Sequence, residues 1–371
     1  MLSAEINTKR VLRSLDRHYP LHRYSLLALL PGATTAALHE VVEWFLGSNK
    51  QTQYEFIKHL RYQRLTPLWC DVIAAANMRD DVGPQLWDVL AADREEARAR
   101  YRVQRALSLR AQHCLSSAEV PSTLIKGADI RERCYSDPSV RVSSDIDILV
   151  EPVRASDAIR ALLKEGFTLH ARPKSISHEC SLVADSGIID LHWHAMRPGR
   201  FRTEMTSALL ANRQFRDGLF GLAPEHQLFL LLVQPVFGRY STTSQASLVR
   251  LVDLARALVN NAAIMTTTVA LMRSQGLATA GWITACWASW LGVDSLGVAK
   301  ELMPGPVRQR YLRDWLLTNR ASRWADRGHL APLAYTLAAH DSWSDSLRVL
   351  CSIVLARFRG PDALRELQSR L

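Results

Sequence analysis

Three things are scarce in this 371-residue chain. Cysteine is thin and scattered: Cys70, Cys114, Cys134, Cys180, Cys286 and Cys351 contain no CxxC pair. That excludes a disulfide-stapled scaffold and the usual zinc-finger spacings, and it predicts free thiols in a reducing cytoplasm. No signal-peptide pattern opens the sequence, in keeping with that compartment. Long apolar runs are missing. The longest uncharged stretch, Ser274 to Val293, opens on Ser, Gln and Gly, and its apolar part from Leu277 is shorter than a membrane span and carries Thr, Ser and Gly, so a buried helix and no membrane partner are expected. Gly and Pro, at 17 and 15, are too few for a collagenous or low-complexity chain.

What is plentiful is ordinary core material and positive charge. Hydrophobic residues make up 48% and there are ten tryptophans, enough for substantial cores. Lys and Arg number 46 against 36 Asp and Glu, a net charge of +10. The excess is spread out, with no basic tail. It favours anionic partners such as nucleotides and leaves nucleic acid open.

The pattern along the chain is helix, then mixed, then helix. Leu38, Val41, Val42 and Phe45 keep helical spacing, and Phe56 and Leu60 repeat it. Residues Gln85 to Ser116 hold no Pro or Gly and are rich in Arg, Ala, Leu and Glu, which predicts a long connecting helix. After Pro121 the period changes. Strands are expected at 122–125, 145–150, 167–171, 180–184 and 188–194, with helices at 128–135 and 156–165 and a hairpin turn at Asp185-Ser186-Gly187. Beyond about 200 the helical stripe returns, clearest at Leu248, Leu251, Val252, Ala255 and Leu258. The expected class is α+β: an N-terminal helical region over 1–118, a small mixed-sheet core over 119–205 and a C-terminal helical region over 206–371.

The chemistry concentrates in Arg141-Val142-Ser143-Ser144-Asp145-Ile146-Asp147-Ile148. Aspartates two apart on a strand project from one face, with Ile146 and Ile148 on the other. Two carboxylates on one face repel unless a cation sits between them, and Mg²⁺ prefers such oxygen donors. Upstream, Lys126-Gly127 joins a strand to a helix, where glycine admits a phosphate close to the backbone and the helix start favours an anion. Downstream, Asp190 lies inside the apolar strand Ile188-Ile189-Asp190-Leu191-His192-Trp193. His178, Cys180, His192 and His194 raise the thought of zinc, but H-x-C and H-x-H are not usual zinc spacings. Arg131 and Arg133 are read as a solvated helix face. Arg250 and Asp253, three apart, are either a surface ion pair or cleft residues.

The order K-G, R-x-x-S-D-I-D-I-L-V, I-D-L-H-W resembles the nucleotidyltransferase superfamily that includes DNA polymerase β. It is closest to the branch of uncharacterised bacterial nucleotidyltransferases with Lys-Gly in place of Gly-Ser. The likeness is sharpest over residues 122–195. It implies a mixed-sheet core and metal-dependent transfer of a nucleoside monophosphate from an NTP, ATP among them, to an acceptor hydroxyl on a small molecule, peptide, protein or RNA. Asp145, Asp147 and Asp190 would be the catalytic and metal-binding acids, with two Mg²⁺ (or Mn²⁺) ions about 4 Å apart. Lys126, Gly127, Ser144 and Arg141 would hold the nucleotide, and His192, Arg250 and Asp253 would border the cleft. A departure is Ala128, which leaves no hydroxyl after the glycine. The alternatives are a decayed, non-catalytic nucleotidyltransferase-like binding protein and a basic helical RNA-binding scaffold. Neither the acceptor nor the oligomeric state follows from the sequence.

Overall fold

A computed structural model describes residues 20–170, 178–184, 187–238, 247–317 and 330–358. The chain enters as helices α1 (Pro20–Leu27), α2 (Thr35–Gly47), α3 (Lys50–Tyr62) and α4 (Thr66–Ala75). Their starts are written in the sequence. Thr34 caps α2 by accepting from the Ala37 amide, Asn49 caps α3 by accepting from the Thr52 amide, and Pro67 stands in the first turn of α4. The stripes bury Leu38, Val41, Val42 and Phe45 on α2 and Phe56, Ile57 and Leu60 on α3.

The connecting helix, α5 (Pro84–Ser117), runs 34 residues, or about 50 Å at 1.5 Å per residue. It passes from one apolar core to another. Leu86 and Leu90 pack with the N-terminal helices, whereas Leu107, Ala111, Cys114 and Leu115 pack under the sheet. Between them the buried Arg94 bonds Asp71 of α4, Ser139 and Asp137.

Next come β1 (Ser122–Leu124), α6 (Lys126–Cys134), β2 (Ile146–Val150), α7 (Ala155–Lys164), β3 (Thr168–Leu169), β4 (Glu179–Ala184) and β5 (Gly187–His192). They form a mixed five-stranded sheet in the order β1-β2-β5-β4-β3. Only the β2–β5 pair is parallel, and it sets Asp147 opposite Asp190. Ile146, Ile148, Val150, Ile189 and Leu191 face α5 and α7, leaving the other face for the acids. The α+β class is therefore as expected, a small mixed sheet among helices. Most boundaries move by a residue or two, and two of the moves bear on the site. The last strand ends at His192 rather than 194, and Asp145 stands just before β2 rather than inside it. The expected turn residues Asp185 and Ser186, and Ala171 at the end of an expected strand, lie outside the described residues.

The chain then forms α8 (Thr206–Ala211), the hairpin β6 (Gln214–Arg216) and β7 (Leu219–Gly221), and helices α9 (Pro224–Phe237), α10 (Leu248–Asn260), α11 (Met265–Ser274), α12 (Ala278–Trp290), α13 (Leu296–Glu301), α14 (Pro306–Leu317), α15 (Leu330–Ala338) and α16 (Trp343–Phe358). Helices from before and after the sheet share one core, with Phe56, Trp69 and Leu90 in the same cluster as Phe229, Leu254 and Ile283. Among the described residues no helix is long and apolar enough to cross a membrane.

His22 and His59 meet edge to face in the N-terminal helices, their ring centroids 5.0 Å apart. Burial lowers both pKa values to about 4, with mutual repulsion adding at His22. The rings are neutral in the fold, while the unfolded chain protonates them below about 6.5. Stability present above that pH should therefore fall as pH drops from 6.5 toward 4, by up to about 1.4 kcal/mol per pH unit for each ring. Urea denaturation across that window should show the slope, and His59→Gln should flatten it.

Candidate active site

The cleft begins with the loop from Arg141 to Asp145 that feeds β2. Two anchors hold it. Gln104 on α5 donates to the Ser143 carbonyl at 3.1 Å. Arg141 forks onto Asp253 of α10, with Nη2 at 2.7 Å from Oδ2, and the Tyr135 hydroxyl donates to Oδ1 at 2.7 Å. Arg141 is 6% exposed and Asp253 is fully buried. Asp253 is thus not paired with Arg250, its helix neighbour, and lies beneath the cleft rather than in it. Arg250 does line the cleft and reaches Gln234 at 3.4 Å.

Asp145, Asp147 and Asp190 line one cavity of about 450 Å³, together with Lys126, Gly127, Ser144, Arg141, Arg250 and Glu179. The register explains the company. Asp190 is opposite both Asp147 and Ser181, and His192 is opposite Glu179. Ser181 Oγ donates to Asp190 Oδ1 at 2.6 Å. Lys126 Nζ donates to Asp147 Oδ1 at 2.6 Å, and His192 Nε2 lies 2.8 Å from the same oxygen. A Cβ at Gly127 would stand 2.9 Å from both an Arg141 guanidinium nitrogen and Ser143 Oγ, so a side chain there would have to displace them.

The acids are unequal. Burial alone would raise the pKa of Asp147, but Lys126 and His192 outweigh it and hold the carboxyl well below the usual range. Asp145 goes the other way: burial, then Asp147, then Asp190, raise its pKa, against Ser144 and Lys126. Burial opposes the Lys126 charge, yet Asp147, Glu179 and Asp145 keep its pKa above the ordinary lysine value.

Several contributors had no sequence signal. Tyr62, Gln63 and Arg64 arrive from the turn after α3, and Arg64 reaches the Ser144 hydroxyl at 3.3 Å. Glu179 was one residue outside the expected strand, although the alternation of Glu179 and Ser181 with Cys180 and Leu182 places both on the acid face. Arg131 is a correction. Instead of facing solvent it is 1% exposed, over the Tyr101 ring and bonded to Gln104 at 2.5 Å. Arg133 is likewise drawn inward, onto Asp129 at 2.8 Å. The long α5 supplies those partners for Arg131, and amphipathic spacing alone does not show them. His178, Glu179 and His192 offer ligand-type atoms within 4.8 Å of one another, though His192 Nε2 is already on Asp147. His194 leaves the sheet and pairs with Glu204 at 2.9 Å.

Asp147 and Asp190 thus face each other across the parallel strand pair, Asp145 stands two residues upstream of Asp147, and a basic cleft opens at the glycine-bearing start of α6. The sequence model of a family described as "Uncharacterised nucleotidyltransferase" matches residues 49–291, from the start of α3 to the end of α12. The chain belongs to that family, and nucleotidyl transfer is its general reaction class. No curated protein matches the chain.

Removing one partner of a buried ion pair leaves the other charge stranded, at a cost of about 3–5 kcal/mol. Arg141→Met should destabilise the chain by that order. Arg141→Met with Asp253→Leu should recover a large part of the loss, as read by urea denaturation.

Proposed function

We propose that this protein transfers a nucleoside monophosphate from an NTP to an acceptor hydroxyl in a reaction that depends on a divalent metal. The observation that carries the reading is the register of β2 and β5, which sets Asp147 beside Asp190 with Asp145 at the head of the same strand. The donor set fits a hard cation, since it is all oxygen and like-charge repulsion at Asp145 is left for a cation to relieve. When bound, Mg²⁺ or Mn²⁺ would neutralise triphosphate charge and act as a Lewis acid on the α-phosphate.

The chain's own residues supply the rest. Asp145 and Asp147 hold the cation. The Gly127 amide at the start of α6, Ser144, Arg64 and Arg250 offer donors and positive charge to the triphosphate. Arg141 adds charge to the cleft wall while its fork holds the loop on α10. Asp190, with Oδ1 occupied by Ser181, presents its other oxygen to the acceptor. The acceptor oxygen bonds to the α-phosphorus, and its proton passes to Asp190. The bond from that phosphorus to the α–β bridging oxygen breaks, and the electron pair leaves with pyrophosphate. All six cysteines are free, which supports a reducing, cytoplasmic compartment.

The test is incubation with each α-labelled NTP, Mg²⁺ and a cell extract. Label should appear on an acceptor with at least one NTP, and no transfer with any of them would overturn the proposal. Asp145→Asn and Asp147→Asn should each lower turnover by about a thousandfold or more. Asp190→Asn should depress turnover while changing NTP affinity less. Metal-free Asp145→Asn should melt no lower than the parent chain, because it removes a charge that the fold disfavours.

A further inference from the structure

One oxygen of the central acid is already occupied. Lys126 Nζ is 2.6 Å and His192 Nε2 is 2.8 Å from Asp147 Oδ1, and the two nitrogens are 3.1 Å apart. Neither side chain is loosely placed. Asp147 is 4% exposed and His192 is fully buried, with its second ring nitrogen 3.0 Å from Glu179 Oε2. Lys126 opens α6 at φ +54°, a left-handed conformation that glycine adopts without penalty and that side chains rarely take.

In two-metal sites the ions stand about 3.5–4 Å apart. A carboxylate that bridges them offers one oxygen to each. Of the two oxygens that Asp147 could offer in that way, one already carries an ammonium. We infer that the Lys126 ammonium is a built-in cation that replaces one of the two metal ions, so that this site takes a single divalent ion, held by Asp145 and the remaining oxygen of Asp147. The inference rests on the nucleotidyl-transfer reading and departs from the two ions that the superfamily resemblance implies. The chemistry differs accordingly. An ammonium supplies one positive charge and three N–H donors, enough to hold Asp147 and still donate to an incoming oxygen, but it exchanges no ligands as a metal ion does.

Mn²⁺ titrated into the full chain, saturated in parallel with the α,β-methylene analogues of ATP, GTP, CTP and UTP, gives the count directly, with free Mn²⁺ followed by electron paramagnetic resonance. One Mn²⁺ per nucleotide-bound chain is expected. Lys126→Met should bind two, and without nucleotide it should bind Mn²⁺ at least about tenfold more tightly, a difference of about 1.4 kcal/mol. Two ions in the unsubstituted chain would overturn the inference and leave the proposed function standing. One ion in both chains would also overturn it, since the lysine would not be what excludes the second. No ion in either would overturn both readings. Circular dichroism checks that Lys126→Met is folded. If it is not, Lys126→Gln takes its place, and the count on the unsubstituted chain decides by itself whether a second ion binds.

Discussion

The buried pair of Arg141 and Asp253 joins parts of the chain 112 residues apart, and the placement of the acids in the cleft follows from it. Arg141 begins the loop that ends in Asp145, and Asp253 sits inside α10, a helix from beyond the sheet. With Gln104 holding the Ser143 carbonyl from the other side, the loop is strung between helices that precede and follow the core. A buried ion pair is a poor source of net stability, because desolvation offsets much of the attraction. Its geometric demand is strict, however. The fork on Asp253 holds the loop at Arg141 and the Gln104 amide holds it at Ser143, while the Tyr135 hydroxyl fixes Asp253.

Within the site, two carboxylates two residues apart are driven in opposite directions by their surroundings. Asp147 is compensated inside the protein by Lys126 and His192, so its charge is secure before any ligand arrives. Asp145 has less compensation and two acidic neighbours, so its charge is costly. The like-charge repulsion in the cleft is therefore felt at Asp145, at the mouth of the strand, while Asp147 is already neutralised behind it. This division comes from one strand, and it depends on Lys126 arriving from β1's end and His192 from β5.

What could be read in the sequence was what is local. Period-two alternation gave β2 and β5 with their aspartates, and the absence of helix breakers gave α5 nearly to the residue. Arg141 and Asp253 both stood out as site residues, but nothing local says that they bind each other, because the pairing is decided by how α10 packs beneath the loop. The same reason hides Arg64, whose turn is brought over Ser144 by the N-terminal helices. Arg131 misleads for a related cause. It has helical-surface spacing and an arginine's usual preference for water, and tertiary packing against Tyr101 and Gln104 overrides both.

The long α5 has a consequence for which changes the chain can tolerate. Its N-terminal half grips the helical core through Leu86, Leu90 and Arg94, and its C-terminal half grips the sheet core through Leu107, Ala111 and Leu115, with Gln104 under the loop that leads to Asp145. A helix turns by about 100° per residue. Inserting or deleting one residue between Arg94 and Gln104 would rotate one set of contacts away from its partners by that angle. Substitutions along the exposed side of this stretch alter a surface, whereas a change of length resets the orientation of one core against the other. Its length is therefore under tighter constraint than its composition.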